Sequence, residues 1–402
     1  MTAQVRSQAA ASGSRPLAGI RVIDLGNYIA GPGTAMILGE LGADVIKIES
    51  LTGDIARHVG AFGAAMVNSY NRDKRSIALD LRKPRAIEIA KKLIGGSDVV
   101  VQNMRPGLVD ELGIGPAAMR ALHPRLIYLS VSGFGLNGPS RGRPGLDIAA
   151  QAESGLMSVT GEPDRPPQKV GVPIIDAATT HVGAEAVLAA LFKRERTGEG
   201  ETIETSLLEV AIHLQAASWN QYAATGNEPK RQGSGQAANA PAAELIPTSD
   251  GWIVLSAYTQ EHWARLCKTL GRDELIADER FSTGPARVAN KPAMRVELEK
   301  VLSPKSSSEC AALLSENGIV VAAVQSYSQA RKSADVEASG IFMQATGSGA
   351  EILGLPYRYS AGRQPSGLVP AIGQHSREIL GELGFDEKEA EALMRDGLVG
   401  GG

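Results

Sequence analysis

One carboxylate has a setting that suits chemistry. Asp176 closes the stretch GFGLNGPSRGRPGLDIAAQAESGLMSVTGEPDRPPQKVGVPIID, which begins at Gly133. Repeated glycine and proline exclude a single long helix or flat strand there. The residues that follow, AATTHVGAEAVLAALFKR, put Val182, Ala186, Ala190 and Leu191 on an apolar face and read as a helix. Asp176 then falls at the N-cap, where free backbone N–H groups and the helix dipole both favour an ionised carboxyl. With a reference pKa of ~4, an Asp so placed is expected to stay charged at neutral pH. It would be a poor general acid and a usable nucleophile. A residue that only caps the helix fits the same position, so position alone leaves both roles open.

Other chemistries find less support. His58, His123, His181, His213, His262 and His375 are dispersed, with no HxxxH or HExxH spacing, so no metal site is expected. There is no GxSxG elbow and no phosphate-binding P-loop. His181 follows Asp176 by five residues, off the i+4 register, and reads as helix packing. Gly31, Gly33 and Glu49 sketch a dinucleotide fingerprint, but Met36 holds the third glycine position and Pro32 sits inside the turn. A Rossmann-like fold without nicotinamide is the expectation.

Strand and helix alternate through the first half of the chain. Gly19–Asp24, Asp44–Glu49, Ser76–Asp80, Asp98–Val101 and Leu126–Val131 read as strands, and Thr202–Leu207 as a sixth. Thr34–Leu41 and Arg85–Ile94 read as helices, and Asn27–Gly33 as a loop. Repetition of this kind predicts an α/β fold with a parallel sheet. Ligands bind such sheets at the carboxyl ends of the strands, where Asn27, Asn103 and Ser132 fall. Arginines around these ends (Arg72, Arg75, Arg82, Arg85, Arg105, Arg141 and Arg143) suit a phosphate-bearing ligand. They equally fit a solvated charged surface.

Residues 1–15 read as a disordered tail, and 16–215 as the large domain. A smaller domain over 216–325 contains the glycine-rich loop Asn227–Ala243, read as a lid or an interdomain linker, with a strand at Gly251–Ala257 and helices near Glu261–Leu270 and Lys291–Leu302. Residues 326–402 are expected to return to the large domain through Glu351–Tyr359 and a helical Ser376–Arg395, ending in a frayed GLVGGG.

The 402 residues carry a net charge of −3, which gives no reason to expect nucleic acid or an anionic membrane as partner. No apolar run approaches the roughly 20 residues of a membrane span. Cys267 and Cys310 are too few for a disulfide framework and fit a reducing, cytoplasmic setting.

Taken together, PLAGIRVIDL, GPG followed by LGADVIKIE, NRDKRSIALDL, NMRPG, HPRLIYLSVSGFG, RPGLDIAAQAESGLMSVTG, TGEGETIETSL and GQHSREILGELGF resemble, in order, the class III CoA-transferases of the CaiB–BaiF type. The resemblance covers nearly the whole chain. It implies a Rossmann-like large domain, a smaller inserted α+β domain and an interlocked homodimer. It implies coenzyme A, carried in as an acyl-CoA co-substrate, with a small carboxylic acid as acceptor and no metal. The family nucleophile, an Asp at a helix start, matches Asp176. By the same resemblance Ile29, Ala30, Leu79, Arg82, Asn103, Arg105, Arg143 and Asp147 are candidate CoA-site residues, and Asp147 is expected to make a local salt bridge or loop hydrogen bond.

Two family arginines that tend to contact CoA phosphates are replaced, by Ser50 and Glu111, leaving Arg57, Arg72 or Arg82 to serve instead. Ile29 stands where formyl-CoA transferases carry a polar residue, which argues against an oxalate-specific enzyme. Related racemases carry a GHD motif that here reads Gly145-Leu146-Asp147, and Leu146 cannot move a proton. The expected activity is therefore CoA transfer through mixed-anhydride and aspartyl-CoA intermediates. Oxyanions would be held by backbone N–H groups at the helix start or in a glycine loop, and water kept out by Asn227–Ala243. An acyl-CoA racemase and a CoA-binding protein without chemistry are the alternatives.

Overall fold

Six short β-branched runs line up as the parallel part of one sheet: β1 (Arg21–Asp24), β2 (Asp44–Glu49), β3 (Lys74–Leu79), β4 (Val99–Gln102), β5 (Ile127–Ser132) and β6 (Thr202–Ser206). The computed structural model describes residues 15–235, 242–347, 349–360, 362–363 and 366–401. The expected tail therefore lies outside the described residues except for Arg15, as do 236–241 of the glycine-rich loop.

Strand order is β3-β2-β1-β4-β5-β6, the doubly wound arrangement, and it reverses direction between β1 and β4. Val22 of β1 sits opposite both Val45 and Val99, so the central strands are buried on both faces and read as continuous apolar runs. The far edge departs from expectation. Through Gly401 the terminal segment is not frayed: β7 (Val399–Gly400) pairs antiparallel with β3, with Val399 opposite Leu79. Val399 and Leu398 are buried, and that burial holds the end of the chain down.

Helices cover the two faces of this sheet. On one side lie α1 (Ala30–Glu40) and a long helix over Ile174–Thr197. The helix Pro84–Gly95 packs on the other, with Ser376–Glu382 and Glu387–Arg395, the single helix expected there being two. The glycine-proline run expected as a loop is instead the first turn of α1. Pro32 is tolerated there because first-turn N–H groups have no intrahelical partner. The helix α2 (Gly60–Tyr70), rich in glycine and alanine, gave no periodic signal and is new. Two further elements matter below: α3 (Asp147–Glu153) and α4, the 24-residue helix Ile174–Thr197. By length and composition α4 passes as a membrane span, contrary to the expectation of no such run. Its buried face, including Ile175, Thr179, Gly183 and Val187, packs against α1 and β5.

The chain divides into two compact units: Met1–Leu156 with Val170–Gly226 and Gly340–Gly402, and Met157–Lys169 with Asn227–Ser339. The boundaries expected at 215 and 325 thus lie at 226 and 339. The helix Ala216–Thr225 stays with the large unit, and an excursion over 157–169 belongs to the small one. The small unit is α+β. Antiparallel strands Ala243–Pro247, Trp252–Ser256 and Val320–Ala323 pack helices Gln260–Thr269, Lys291–Leu302 and Ser307–Glu316 around Trp263, Phe281, Leu298 and Leu314. Ser306 and Glu309 form a reciprocal capping box at the last of these helices. Cys267 and Cys310 are free and buried in this core.

Candidate active site

Asp176 does not cap its helix. α4 begins at Ile174 behind Pro173, so Asp176 is the third helical residue. The capping is done by another carboxylate: Asp147 Oδ2 accepts the backbone N–H of Ile175 at 2.7 Å and of Asp176 at 3.1 Å. Asp147 itself opens α3, and its Oδ1 accepts from the side-chain amide of Gln151, one turn on. The loop hydrogen bond expected of Asp147 is therefore present and aimed at the nucleophile's helix. Ile174 N–H donates to Val172 O and Ala177 N–H to Pro173 O, at 2.8 and 3.1 Å. With those of Ile175 and Asp176, every amide of this helix start is engaged, so the oxyanion role expected of it is not open.

This arrangement reverses the electrostatics read from the sequence. Burial, and then the Asp147 carboxylate, push the Asp176 carboxyl up to about 7. It titrates near neutrality rather than staying ionised. A carboxylate this basic is the better nucleophile and also a competent proton carrier. Tyr70, at the end of α2, shares the site: burial and then the Asp176 charge hold its phenol above the ordinary range.

Close helix packing brings these parts together. A Cβ on Gly33 would lie 2.5 Å from Thr180 Oγ1 and 3.0 Å from Tyr70 Cδ1, and one on Gly183 would lie 2.5 Å from Thr34 Oγ1. Only glycine at both positions allows α1 and α4 to approach this far. Thr180 hydroxyl donates to Asp176 O and that of Thr34 to Ala30 O. Beside this crossing a pocket of about 390 Å³ is lined by Tyr70, Arg72, Ala177, Thr180 and His181. His181, expected as helix packing, is exposed on the pocket wall. Its i+5 offset turns it off the buried face.

A second cleft, of about 540 Å³, lies at the carboxyl ends of β1 to β4. Leu25, Leu81, Met104 and Leu108 make apolar walls fit for a flat base, and Leu79, Ser50 and Arg82 also line it. Arg82 is exposed and pairs with Asp80 at 2.7 Å. Arg57 and Arg72, the other proposed substitutes for the lost arginines, are paired with carboxylates, Arg57 with Glu49 on the cleft wall and Arg72 with Glu40 away from it. Glu111 pairs with Arg105 at 2.7 Å. Arg82 is thus the one cation among the lining residues of this cleft.

Other candidates are placed differently. Asn103 holds the loop after β1: its Oδ1 accepts Asn27 N–H at 2.8 Å and its Nδ2 donates to Asn27 O at 2.9 Å. That clamp bridges β1 and β4, where the strand order reverses, and it leaves Asn27 as the residue on the cleft wall. Ile29 is buried with Ala56, Met66 and Val67, and Ala30 is buried in the core against α4, so neither offers a side chain to a ligand. Arg143 pairs with Glu153 and stacks over Phe134 at 4.4 Å. Gly133 and Gly145 meet so closely that a Cβ on either would lie 2.5 Å from the other's Cα, which closes the loop between them.

Spacing alone did not reveal a buried ion network beneath the β1–α1 loop. Lys74 Nζ lies 2.7 Å from Asp24 Oδ2 and donates to Pro32 O at 2.7 Å. Lys47 lies 3.0 Å from Asp54 and donates to Gly26 O at 2.7 Å. Asp54 accepts the N–H of Tyr28, whose φ of 64° is left-handed. Among the described residues, no group of three or more His, Cys, Asp or Glu is placed to hold a metal.

Residues 17–376 match the family described as CoA-transferase family III. The succinyl-CoA:glutarate CoA-transferase of Mus musculus is 36% identical over 413 residues, spanning 98% of this chain and 92% of that protein. A Mycobacterium tuberculosis protein named a probable fatty acyl-CoA transferase is 33% identical over 388 residues, spanning 91% of this chain and 98% of its own. The crystal structure of a CaiB/BaiF family protein from Brucella suis matches with a TM-score of 0.84 at 34% identity, covering 92% of this chain and 99% of that one. In sequence across most of its length, and in fold, the chain belongs to CoA-transferase family III and is a CoA-transferase of the CaiB/BaiF type.

Proposed function

We propose that the chain moves CoA from an acyl-CoA thioester to a free carboxylic acid, with Asp176 as the covalent carrier. The Asp176 carboxylate attacks the thioester carbonyl and expels CoA as thiolate, leaving a mixed anhydride. The thiolate attacks the aspartyl carbonyl of that anhydride and releases the donor acid, so that Asp176 holds CoA as a thioester. The acceptor carboxylate then runs the same two steps in reverse. Each step trades one acyl bond for another, and no water is consumed.

The observation that carries this reading is the separation of roles between two carboxylates. Asp147 takes the helix-capping hydrogen bonds, so the Asp176 side chain keeps its lone pairs for chemistry. Its titration near 7 supplies a carboxylate more nucleophilic than an ordinary one. The cleft at the strand ends is our choice for the adenosine of CoA, and Arg82 for a phosphate contact. Relatives named for fatty acyl and for succinyl and glutaryl groups leave the acid open, so acceptor acids of both kinds belong in the screen. By family likeness the working form is an interlocked homodimer, and the two free thiols fit a cytoplasmic setting; sedimentation and fractionation would test these.

Incubation with acyl-CoA followed by intact mass measurement tests the chemistry. A covalent CoA adduct, lost in Asp176→Ala, is expected; no adduct with any thioester that the protein binds rejects the proposal. The titration of Asp176 near neutrality also suits proton abstraction at an acyl α-carbon, the racemase alternative. Leu146 supplies no second base for it, and deuterium uptake without transfer would overturn our preference.

A further inference from the structure

We propose that Gln151 is a positioning residue for this reaction: its amide locks the Asp147 carboxylate in the orientation that caps α4 and leaves the Asp176 side chain unengaged. The proposal rests on Asp176 as the nucleophile.

Gln151 is fully buried, where an amide is costly unless both of its ends are satisfied. Both are. Its Nε2 donates to Asp147 Oδ1, and its Oε1 accepts the N–H of Val170 at 2.9 Å. Flipping the amide would set oxygen against carboxylate and NH₂ against N–H, so the network itself assigns this orientation. The two Asp147 oxygens are then fully allotted, one to Gln151 and the other to the N–H groups of Ile175 and Asp176. A carboxylate held on both sides cannot rotate. Without the Gln151 bond, Oδ1 would be free to turn toward Asp176 and share its proton, as close carboxylates do.

The titratable groups around this clamp are few. Asp147 stands on the same helix, Asp176 on α4 and Tyr70 at the end of α2, with Arg72 acting on Tyr70. The helix Leu207–His213, packed on α3, brings Glu209, which Ser206 holds, and an exposed His213. A residue that only filled space here could be replaced by methionine, of similar length and without donor or acceptor.

Two variants and two measurements test the proposal. The first measurement is independent of turnover: labelling of the Asp176 carboxyl by a water-soluble carbodiimide, followed by peptide mass against pH. The second is steady-state transfer. In Gln151→Met, Asp147 Oδ1 loses its donor and turns toward Asp176, and the two carboxyls share a proton. The Asp176 labelling midpoint should rise by half a pH unit or more, and kcat should drop at least tenfold while KM for acyl-CoA stays within twofold. In Gln151→Glu, the neutral acid keeps both hydrogen bonds and the ionised form repels Asp147. Transfer relative to the parent should be near normal at low pH and lost as pH rises. A Gln151→Met protein with native circular dichroism, parental kcat and an unmoved midpoint overturns the proposal. Should that variant fail to fold, a Gln151→Glu whose activity ratio is flat with pH overturns it instead. If the parent forms no CoA adduct, the reading of Asp176 as carrier fails, and the labelling midpoints still decide the role of Gln151.

Discussion

Asp24, at the end of β1, and Asp176, in the first turn of α4, are carboxylates withdrawn from water and pushed in opposite directions. Burial alone would raise both. Around Asp24, Lys47 and Lys74 outweigh burial and hold the carboxyl below its ordinary value, while burial drives Lys74 down to about 8. Opposite charges at 2.7 and 3.5 Å make this a closed set that ties down Gly26 and Pro32. Beside Asp176 the charge that matters has the same sign, and nothing offsets the burial. The first region spends its charges on holding a loop; the second leaves one charge uncompensated where chemistry is needed.

The largest expected effect removes that uncompensated charge. Asp176→Ala should abolish the CoA adduct in intact mass spectra and lower transfer by about 10³-fold or more, as for other covalent carriers. The matching blow to the balanced region is Lys74→Met. It leaves Asp24 buried beside one lysine only and should cost about 3–5 kcal/mol in denaturant unfolding. Activity should track the folded fraction, and a stable but inactive Lys74→Met protein would erase the distinction between the two regions.

A gentler change asks whether Asp176 is truly destabilising. Its folded pKa is raised above the unfolded one, so its stabilising share is complete below about pH 4 and lost as pH rises through about 7. Asp176→Asn should therefore unfold at higher temperature than the parent at pH 8. After a discount for partial exposure the gain is about 1–3 kcal/mol, shrinking to nothing near pH 4. An equal gain at both pH values would break the argument. Asp147→Asn removes the like charge and should move the acid limb of adduct formation down by about one pH unit. The smallest effect belongs to the cleft: Arg82→Ala, at an exposed pair, should raise KM for acyl-CoA by a few-fold, about tenfold at most, and leave the labelling of Asp176 unchanged.

Much of this was legible in the residues. The runs GIRVID, DVIKIE, DVVV and LIYLSV are short and β-branched; DVIKIE is β2 from end to end, and the others became β1, β4 and β5 with ends shifted by one or two residues. The GLD and PIID segments marked both carboxylates of the site, and Asp176 was singled out from its place before an apolar helix. What misled was local logic applied to tertiary partners. AGPG looked like a loop, yet burial against α4 and a lysine on its carbonyl made it helical. α2 carries few large apolar groups and shows no helical period, because its partners lie in a small satellite cluster rather than the main core.

The sequence by itself determined which atoms were available: an Asp ahead of a helix, a second Asp 29 residues earlier, a glutamine four residues beyond that one, and no third group to carry a proton at position 146. Helical and strand periodicity depend on neighbours a few residues apart, so they survive in the linear pattern. Only the tertiary structure decided which carboxylate capped the helix and which one was left to react. That choice depends on a contact between α3 and α4 and on the water removed by packing around them, and neither has a signature along the chain.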